Sequence, residues 1–245
     1  MSADENDDVL KDLLSLEHNK LAEYCHEIEL RGEIAQIASI RLKNSQNLWV
    51  SKGCLMGHSP GISWQLKVPG GAGKAVGRML SGEGAALTYV TANKDNEWLC
   101  LTANQPGKLA TWDLSKGSIV CTRGAFVAGI GDVDINVTTA RSAGAALFGG
   151  AGLFLQRISG TGIAIVHGSG DFVEKSLAEG EKLLVSTGNL AVFSASVKYG
   201  VRGVGGCTKK LFGGEGLFMT ELTGPGWVML QSLKKMPAQR GSTGQ

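Results

Sequence analysis

Three segments of the chain alternate apolar and polar residues with a period of two. They occupy residues 62–68, 133–138 and 197–202. A period of two places successive side chains on opposite faces of a β-strand. In the second segment it directs Val133, Ile135 and Val137 to one face. We therefore predict a half-buried strand in each of the three segments.

A glycine-rich stretch follows each alternating segment. LFGGAGLF occupies residues 147–154, LFGGEGLF occupies residues 211–218, and a divergent copy, MLSGEGAAL, occupies residues 79–87. Each copy precedes a second apolar segment, a turn and a third apolar segment. The third segments are residues 98–101, 163–166 and 227–230. Such self-similarity predicts three modules of roughly 65–70 residues each.

These modules predict an all-β fold, a pseudo-threefold β-barrel or prism of three repeated strand modules with a short N-terminal helix. We expect residues 24–42 to supply strands that the third module lacks and to close the ring, since closure removes exposed strand edges. The chain then divides into three parts. Residues 1–21 form an acidic head that is an amphipathic helix or a frayed tail, residues 22–236 a single three-repeat β domain, and residues 237–245 a flexible tail.

Glycines in the repeated stretch have a structural explanation. Paired glycines permit a positive φ or a β-bulge where a strand turns a corner, and a later glycine permits close approach of two backbones. The residues given this role are Gly82, Gly84, Gly149, Gly150, Gly152, Gly213, Gly214 and Gly216. We prefer this role to a binding role.

The repeated motifs resemble those of the altered-inheritance-of-mitochondria 24 family. The resemblance rests on GRMLSGEG, LFGGAGLFLQRISGTG, LFGGEGLFMTELTGPGWVMLQS and GNLAVFSASVKYGVRGVGG, and it covers about residues 45–235. It implies a body like that of the tryptophan RNA-binding attenuator protein, of the double-stranded β-helix type, which often assembles into oligomers. It implies no known catalytic residues. Fungal members are linked to mitochondrial inner-membrane organisation.

Charge and cysteine usage bear on the compartment. Residues 1–30 carry nine acidic and two basic residues, whereas the rest of the chain has a balance of +9. An acidic N-terminus is the opposite of an Arg-rich transit peptide. The five cysteines are scattered and odd in number, which indicates reduced thiols. We expect an intracellular protein, cytoplasmic rather than mitochondrial, although the family resemblance keeps the mitochondrial alternative open.

Motifs for catalysis, cofactors and metals fail on spacing. In VPGGAGKAVGR, residues 68–78, Val68 stands where a phosphate-binding loop needs its first glycine, and Ala75 follows Lys74 where that loop needs Ser or Thr. His18, Cys25 and His26 lie near one another in sequence, but a structural zinc site wants four ligands. The sequence predicts no enzyme, no cofactor and no metal.

Basic and apolar residues share the loops around the repeated stretch. The candidate interaction surface consists of Lys74, Arg78, Arg141, Phe148, Arg202, Lys209, Lys210 and Phe212. In a cyclic repeat these loops project from one end of the barrel. We hypothesise that they dock on an anionic membrane or a membrane-bound partner. Packing into an oligomer interface is an equally weighted alternative, and we expect a homo-oligomer, with a trimer favoured.

Two other functions remain open. RNA binding follows by analogy with the attenuator-like fold and needs exposed aromatic and basic side chains. Aromatic residues make up only 6% of the chain, and Trp64, Trp98 and Trp227 stand at core positions of predicted strands, so nucleic acid is disfavoured. The remaining alternative is a scaffold that positions other proteins, with the acidic head as its adaptor.

Overall fold

The computed structural model describes residues 18–70, 86–139, 154–203 and 218–234. Its described part begins with a short helix, α1 (His18–Tyr24). Leu21 of α1 packs against a hydrophobic cluster of the body, and Tyr24 is buried in it. The Tyr24 hydroxyl donates to the carbonyl oxygen of Thr161 at 3.1 Å. A short helix is therefore present near the N-terminus and docks on the body, whereas residues 1–17 of the predicted head lie outside the described residues.

All remaining large elements in the described residues are strands. The first are β1 (Cys25–Arg31), β2 (Ile37–Leu42), β3 (Asn47–Val50), β4 (Leu55–His58), β5 (Ile62–Lys67), β6 (Leu87–Ala92) and β7 (Glu97–Thr102). The next are β8 (Gly107–Asp113), β9 (Ile119–Thr122), β10 (Phe126–Ile130), β11 (Val133–Thr139), β12 (Phe154–Gly160) and β13 (Ile163–Ser169). The last are β14 (Phe172–Leu177), β15 (Lys182–Ser186), β16 (Leu190–Ser194), β17 (Lys198–Gly203), β18 (Phe218–Thr223) and β19 (Gly226–Gln231).

Strands β2 to β19 pair in the same order three times. We call β2–β7, β8–β13 and β14–β19 the first, second and third sets. In every set the fifth strand pairs with the second and the fourth, and the sixth strand pairs with the first and the third. Every one of these pairs is antiparallel. Strand β1 lies outside the sets and pairs with β2.

Two junctions join neighbouring sets through hydrogen-bonded strands. The second strand of one set pairs with the third strand of the next, as β3 does with β10 and β9 with β16. The junctions create two six-stranded sheets, ordered β5-β6-β3-β10-β13-β8 and β11-β12-β9-β16-β19-β14. A four-stranded sheet, β1-β2-β7-β4, and a three-stranded sheet, β15-β18-β17, complete the described fold.

The buried apolar residues form three clusters, one centred on each set. Ile40, Leu48 and Leu99 belong to the first cluster, Ile119 and Ile158 to the second. Phe193 and Leu222 belong to the third. Residues of a neighbouring set enter each cluster across a junction, as Ala128 of β10 enters the first. The junctions therefore join the hydrophobic interiors of adjacent sets as well as their backbones.

All three alternating segments form strands, as the sequence predicts: β5, β11 and β17. The third apolar segments are also strands, β7, β13 and β19. The burial predicted for the tryptophans is only partly correct. Trp227 is 2% exposed and Trp98 is half-buried, but Trp64 is 55% exposed. The prediction that Trp64 is a core residue is therefore wrong. Strands β5 and β11 both lie at a sheet edge, but the face of β5 is left exposed at Trp64, whereas Ile135 of β11 is 1% exposed.

The described strands form several sheets and no closed barrel, so the pseudo-threefold barrel is not confirmed. Residues 24–42 were expected to complete the third module. They form β1 and β2, which pair with each other, and β2 pairs with β7 as β8 does with β13 and β14 with β19. In the predicted modules, which start at β5, β11 and β17, this stretch therefore supplies a strand that the third module lacks. It does not close a ring among the described residues, because β4 and β15 do not pair with each other there.

Turns at equivalent places in two sets depend on glycine. Gly53 precedes β4 with a φ of 78°, and Gly124 precedes β10 with a φ of 71°. Residues with a side chain rarely adopt this left-handed conformation, whereas glycine adopts it at little cost. The recurrence of glycine before these apolar segments therefore reflects a recurring turn.

Candidate functional site

Most of the predicted interaction surface lies outside the described residues. This holds for Lys74, Arg78, Arg141, Phe148, Lys209, Lys210 and Phe212. Arg202 lies within β17, for which the backbone is described. The glycines given a corner role lie outside as well, namely Gly82, Gly84, Gly149, Gly150, Gly152, Gly213, Gly214 and Gly216. The structure does not test whether these residues come together.

The strands that flank these segments are paired up to their ends. Lys67, the last residue of β5, is paired with Leu87, the first of β6. Thr139 is paired in the same way with Phe154, between β11 and β12. The corresponding pair between β17 and β18 is Gly203 with Phe218. Each predicted loop therefore starts and ends at neighbouring backbone positions, as the connection of an antiparallel pair does.

An exposed apolar face occurs on β5, next to one of these loops. Ile62, Trp64 and Leu66 share a face because they are two residues apart. Ile62 is 5% exposed, whereas Trp64 is 55% and Leu66 67% exposed. The corresponding residue of β11, Ile135, is only 1% exposed. The described residues therefore leave the apolar face of β5, formed by Trp64 and Leu66, exposed.

The opposite face of β5 carries a cation held on an aromatic ring. The Lys67 ammonium lies 3.8 Å from the ring centroid of Tyr89. Tyr89 in turn packs edge-on against Trp49, with centroids 4.7 Å apart. Lys67 therefore does not share the face of Trp64 and Leu66. A charge on that face must come from beyond the end of β5.

Two edge strands differ from their counterparts in the other sets. Strand β4 has the same place in its set as β10 and β16, and β15 has the same place as β3 and β9. Among the described residues, β4 pairs only with β7 and β15 only with β18, whereas their counterparts have strands on both sides. Met56 of β4 is 64% exposed and Leu184 of β15 is 54% exposed. Apolar residues and unpaired backbone groups are thus combined on both edges.

A groove of about 520 Å³ lies between the second and third sets. Its floor contains Trp112 and Trp227, whose rings are stacked with centroids 5.0 Å apart. The Trp112 indole donates to the Gly117 carbonyl oxygen at 2.8 Å, and Ser194 Oγ accepts the backbone N–H of Trp227 at 3.0 Å. Arg157 lines the groove and forms no ion pair with any other described residue. Lys116 lines the groove as well, so the groove combines two cationic side chains with serine hydroxyl groups, which suits a small anion.

His26, one of the clustered residues of the sequence, lies at the surface. Its Nε2 is 2.8 Å from Oδ1 of Asp95. This hydrogen bond is the main reason that the pKa of Asp95 is lowered from its ordinary value. Cys25 is buried instead, and burial raises the pKa of its thiol to about 12. Within the described part of the chain, no three His, Cys, Asp or Glu residues are placed to hold a metal ion.

The helix in the described ranges is too short to cross a membrane.

Comparison with known proteins gives a family and a fold. The family model described as mitochondrial biogenesis AIM24 matches residues 28–233. The crystal structure of protein SPYM3_0169 from Streptococcus pyogenes is similar, with a TM-score of 0.70. It is 22% identical in sequence, and the match covers 85% of this chain and 94% of that one. At this identity the likeness shows the shared fold alone. No curated protein matches the chain.

Proposed function

Since the chain belongs to the mitochondrial biogenesis AIM24 family, we propose that it is a non-enzymatic, oligomeric scaffold that docks on an anionic membrane surface from inside the cell. The observation that supports docking is the apolar face of β5. Trp64 and Leu66 expose more than half of their side-chain surface at a strand edge. Large exposed apolar patches on proteins are often interaction sites.

The chemistry of this face favours lipid over other partners. Trp is enriched at membrane–water interfaces, and Leu supplies apolar surface for the acyl region. Lys74 and Arg78 follow β5 closely in sequence and would supply attraction to acidic lipids. Each cation near such a surface contributes about 1 kcal/mol. The basic residues of the other two loops, among them Lys209 and Lys210, would add to this attraction.

The scaffold part of the proposal rests on the repeated strand order. We infer that the three sets reflect the threefold repeat of the sequence, since each set carries one alternating segment as its fourth strand and one third apolar segment as its sixth. A repeated body presents similar loops several times, and an oligomer presents them more often still. Many weak contacts then act together through effective concentration. Homo-oligomerisation, with a trimer favoured, belongs to this proposal.

Flotation with lipid vesicles tests the docking. The wild-type chain should float with vesicles of phosphatidylserine and phosphatidylcholine at low salt, but not with phosphatidylcholine alone. Replacing both Trp64 and Leu66 by Ser should weaken partitioning at least about tenfold, since each side chain loses about 1 kcal/mol or more of burial. Val173→Ser is the matched control, because Val173 is also 55% exposed but lies on β14. A Lys209→Glu, Lys210→Glu variant tests the contribution of charge.

The docking proposal fails if the chain does not float under any of these conditions, or if the control weakens flotation as much as the Trp64 and Leu66 changes do. If flotation at high salt equals that at low salt, attraction between charges is not involved, since salt screens exposed charges.

RNA binding is a second candidate because Trp64 is exposed and can stack on a base. Leu66 beside it, and the position of Lys67 on the other face, make lipid the better match. Trp64→Leu separates the two, since leucine still inserts into lipid but cannot stack on a base. Two results together would favour RNA as the partner. The Trp64→Leu variant would lose single-stranded RNA binding but still float with vesicles, and the wild type would bind RNA more tightly than it binds vesicles.

A further inference from the structure

Strands β4 and β15 are the two strands that would form a third junction of the kind that joins the sets twice within the chain. At one junction the paired residues are Ala128 with Val50, Gly129 with Trp49 and Ile130 with Leu48. At the other they are Val192 with Cys121, Phe193 with Val120 and Ser194 with Ile119. At both junctions the second strand of one set pairs with the third strand of the next. Among the described strands, the second strand of the third set, β15, and the third strand of the first set, β4, remain without such a partner.

Strand β4 has the local shape of the strands that form junctions. Its pairing with β7 shifts register between Leu55 and Gly57. Strand β10 has the corresponding irregularity between Phe126 and Ala128, and β16 has it between Leu190 and Val192. Bulges re-aim a strand and are kept where geometry requires them. Strand β4 therefore carries, on its paired side, the same irregularity as the two strands that form junctions.

Burial shows what the free edges lack. Met56 stands between the register-shifted residues of β4 and is 64% exposed. Its counterparts Val127 and Ala191 are 1% and 0% exposed. Leu184 of β15 is 54% exposed, whereas its counterpart Val120 is 6% exposed. The same strand positions are thus covered wherever a junction forms and open at the two ends.

We propose that β15 of one molecule pairs antiparallel with β4 of a second copy of this chain, which extends the junction from molecule to molecule. A second copy is the fitting partner because both halves of the junction are present in every chain. Both strands lie within the described residues, and they do not pair with each other there. The contact is head-to-tail, so it generates a ring if the rotation closes and a filament if it does not. This inference rests on the proposed homo-oligomer and names its interface.

The two junctions within the chain also predict the register between molecules. Transferring their pairings places Gly57 opposite Val185 and His58 opposite Leu184. The pair Gly57–Val185 corresponds to Ala128–Val50. The hydrogen bond from Ser51 N to Val127 O, one residue away, makes that pair a non-hydrogen-bonded one. The Cα atoms of such pairs lie about 4.5 Å apart, which a disulfide can bridge.

Cross-linking between two variants, each with one cysteine added to the native five, tests the interface and its register together. Gly57→Cys and Val185→Cys chains are purified separately, mixed and oxidised, so any new dimer must join two molecules. A Cβ at Gly57 would come no closer than 3.9 Å to another atom, which leaves room for the new side chain. Gly57→Cys mixed with Leu184→Cys is the register control, since Leu184 points to the other face. We expect a covalent dimer at least tenfold more abundant in the first mixture than in the control or in either variant alone.

Mass in solution separates failure of the interface from failure of the oligomer. Leu184→Lys should shift the sedimentation mass to that of a monomer, because a charged side chain on an edge opposes strand pairing. Leu233→Lys is the control, since Leu233 is also 54% exposed and lies outside the strands. An oligomer that survives Leu184→Lys and gives no cross-link overturns the interface and leaves the oligomer standing. A wild-type monomer at all concentrations overturns both. A further variant carries both new cysteines in one chain. If only this variant forms the disulfide, β15 and β4 pair within one molecule, and the role of a second copy is overturned.

Discussion

Replacing Gly162 by alanine tests how tightly the turn between β12 and β13 packs on the junction strand β10. The turn is held by backbone hydrogen bonds from Thr161 and Gly162 to the Asp132 carbonyl oxygen, at 3.1 and 3.0 Å. A Cβ at Gly162 would lie 2.1 Å from the carbonyl oxygen of Ile130. That oxygen belongs to backbone, so no side-chain rotation can relieve the overlap.

The size of the effect follows from the movement required. Ordinary contact to a Cβ begins near 3.4 Å, so a backbone must move by more than 1 Å. The strand that would move, β10, is buried along its whole length and paired on both sides. Overpacking in a tight core costs about 1–3 kcal/mol, and we expect the upper end or more. For a chain of this size, about 3 kcal/mol corresponds to a fall in Tm of roughly 6–12 °C.

Gly200→Ala is the matched control for this change. Neither glycine requires a positive φ, but an added Cβ at Gly200 of β17 meets no atom within 4 Å. Its effect should be neutral or slightly stabilising, because alanine loses less conformational freedom on folding than glycine. Urea unfolding followed by circular dichroism measures both variants. A Gly162→Ala variant within about 0.5 kcal/mol of wild type, or an equal loss in both variants, would refute the reasoning.

Two further predictions concern the third cluster and the protein surface. Phe193→Ala should reduce the free energy of unfolding by about 3–5 kcal/mol, and Phe193→Leu should reduce it less. The reason is that the Phe193 side chain is 0% exposed and packs edge-on against Tyr199, with ring centroids 5.5 Å apart. Equal urea midpoints for wild type and Phe193→Ala would contradict this. His26→Ala should raise the pKa of Asp95 toward its ordinary 3.8, since the His26 hydrogen bond is the main cause of its lowering. A lowered folded pKa stabilises the fold above the unfolded value, and this contribution is lost as the pH falls through the folded value. An NMR titration that finds the same Asp95 pKa with and without His26 would disprove the link.

Local pattern predicted the strands well, for a physical reason. The alternation of Val133, Ile135 and Val137 reflects the two faces of one strand, and that geometry needs no information from distant residues. The turns before β4 and β10 are as local, since each is built on a glycine with a positive φ, Gly53 and Gly124. These features depend on a few neighbouring residues only.

Contacts between distant residues were beyond prediction. His26 and Asp95 are 69 residues apart, and neither belongs to a motif. Trp112 and Trp227 stack across two sets, although each looks like an ordinary core residue in its own strand. No spacing rule connects such residues, because their separation depends on how the sets pack together.

The amino-acid sequence by itself determined the class of fold, the places of the alternating strands and the family. Only the tertiary structure decided which of these strands is covered. Trp64 and Ile135 occupy the same place in similar segments, yet Trp64 is 55% exposed and Ile135 1% exposed. In the same way, β4 and β15 differ from β10 and β9 chiefly in lacking a neighbour. A strand's own residues set which face is apolar, but burial depends on the element that packs against that face, and that element comes from elsewhere in the chain or from another molecule.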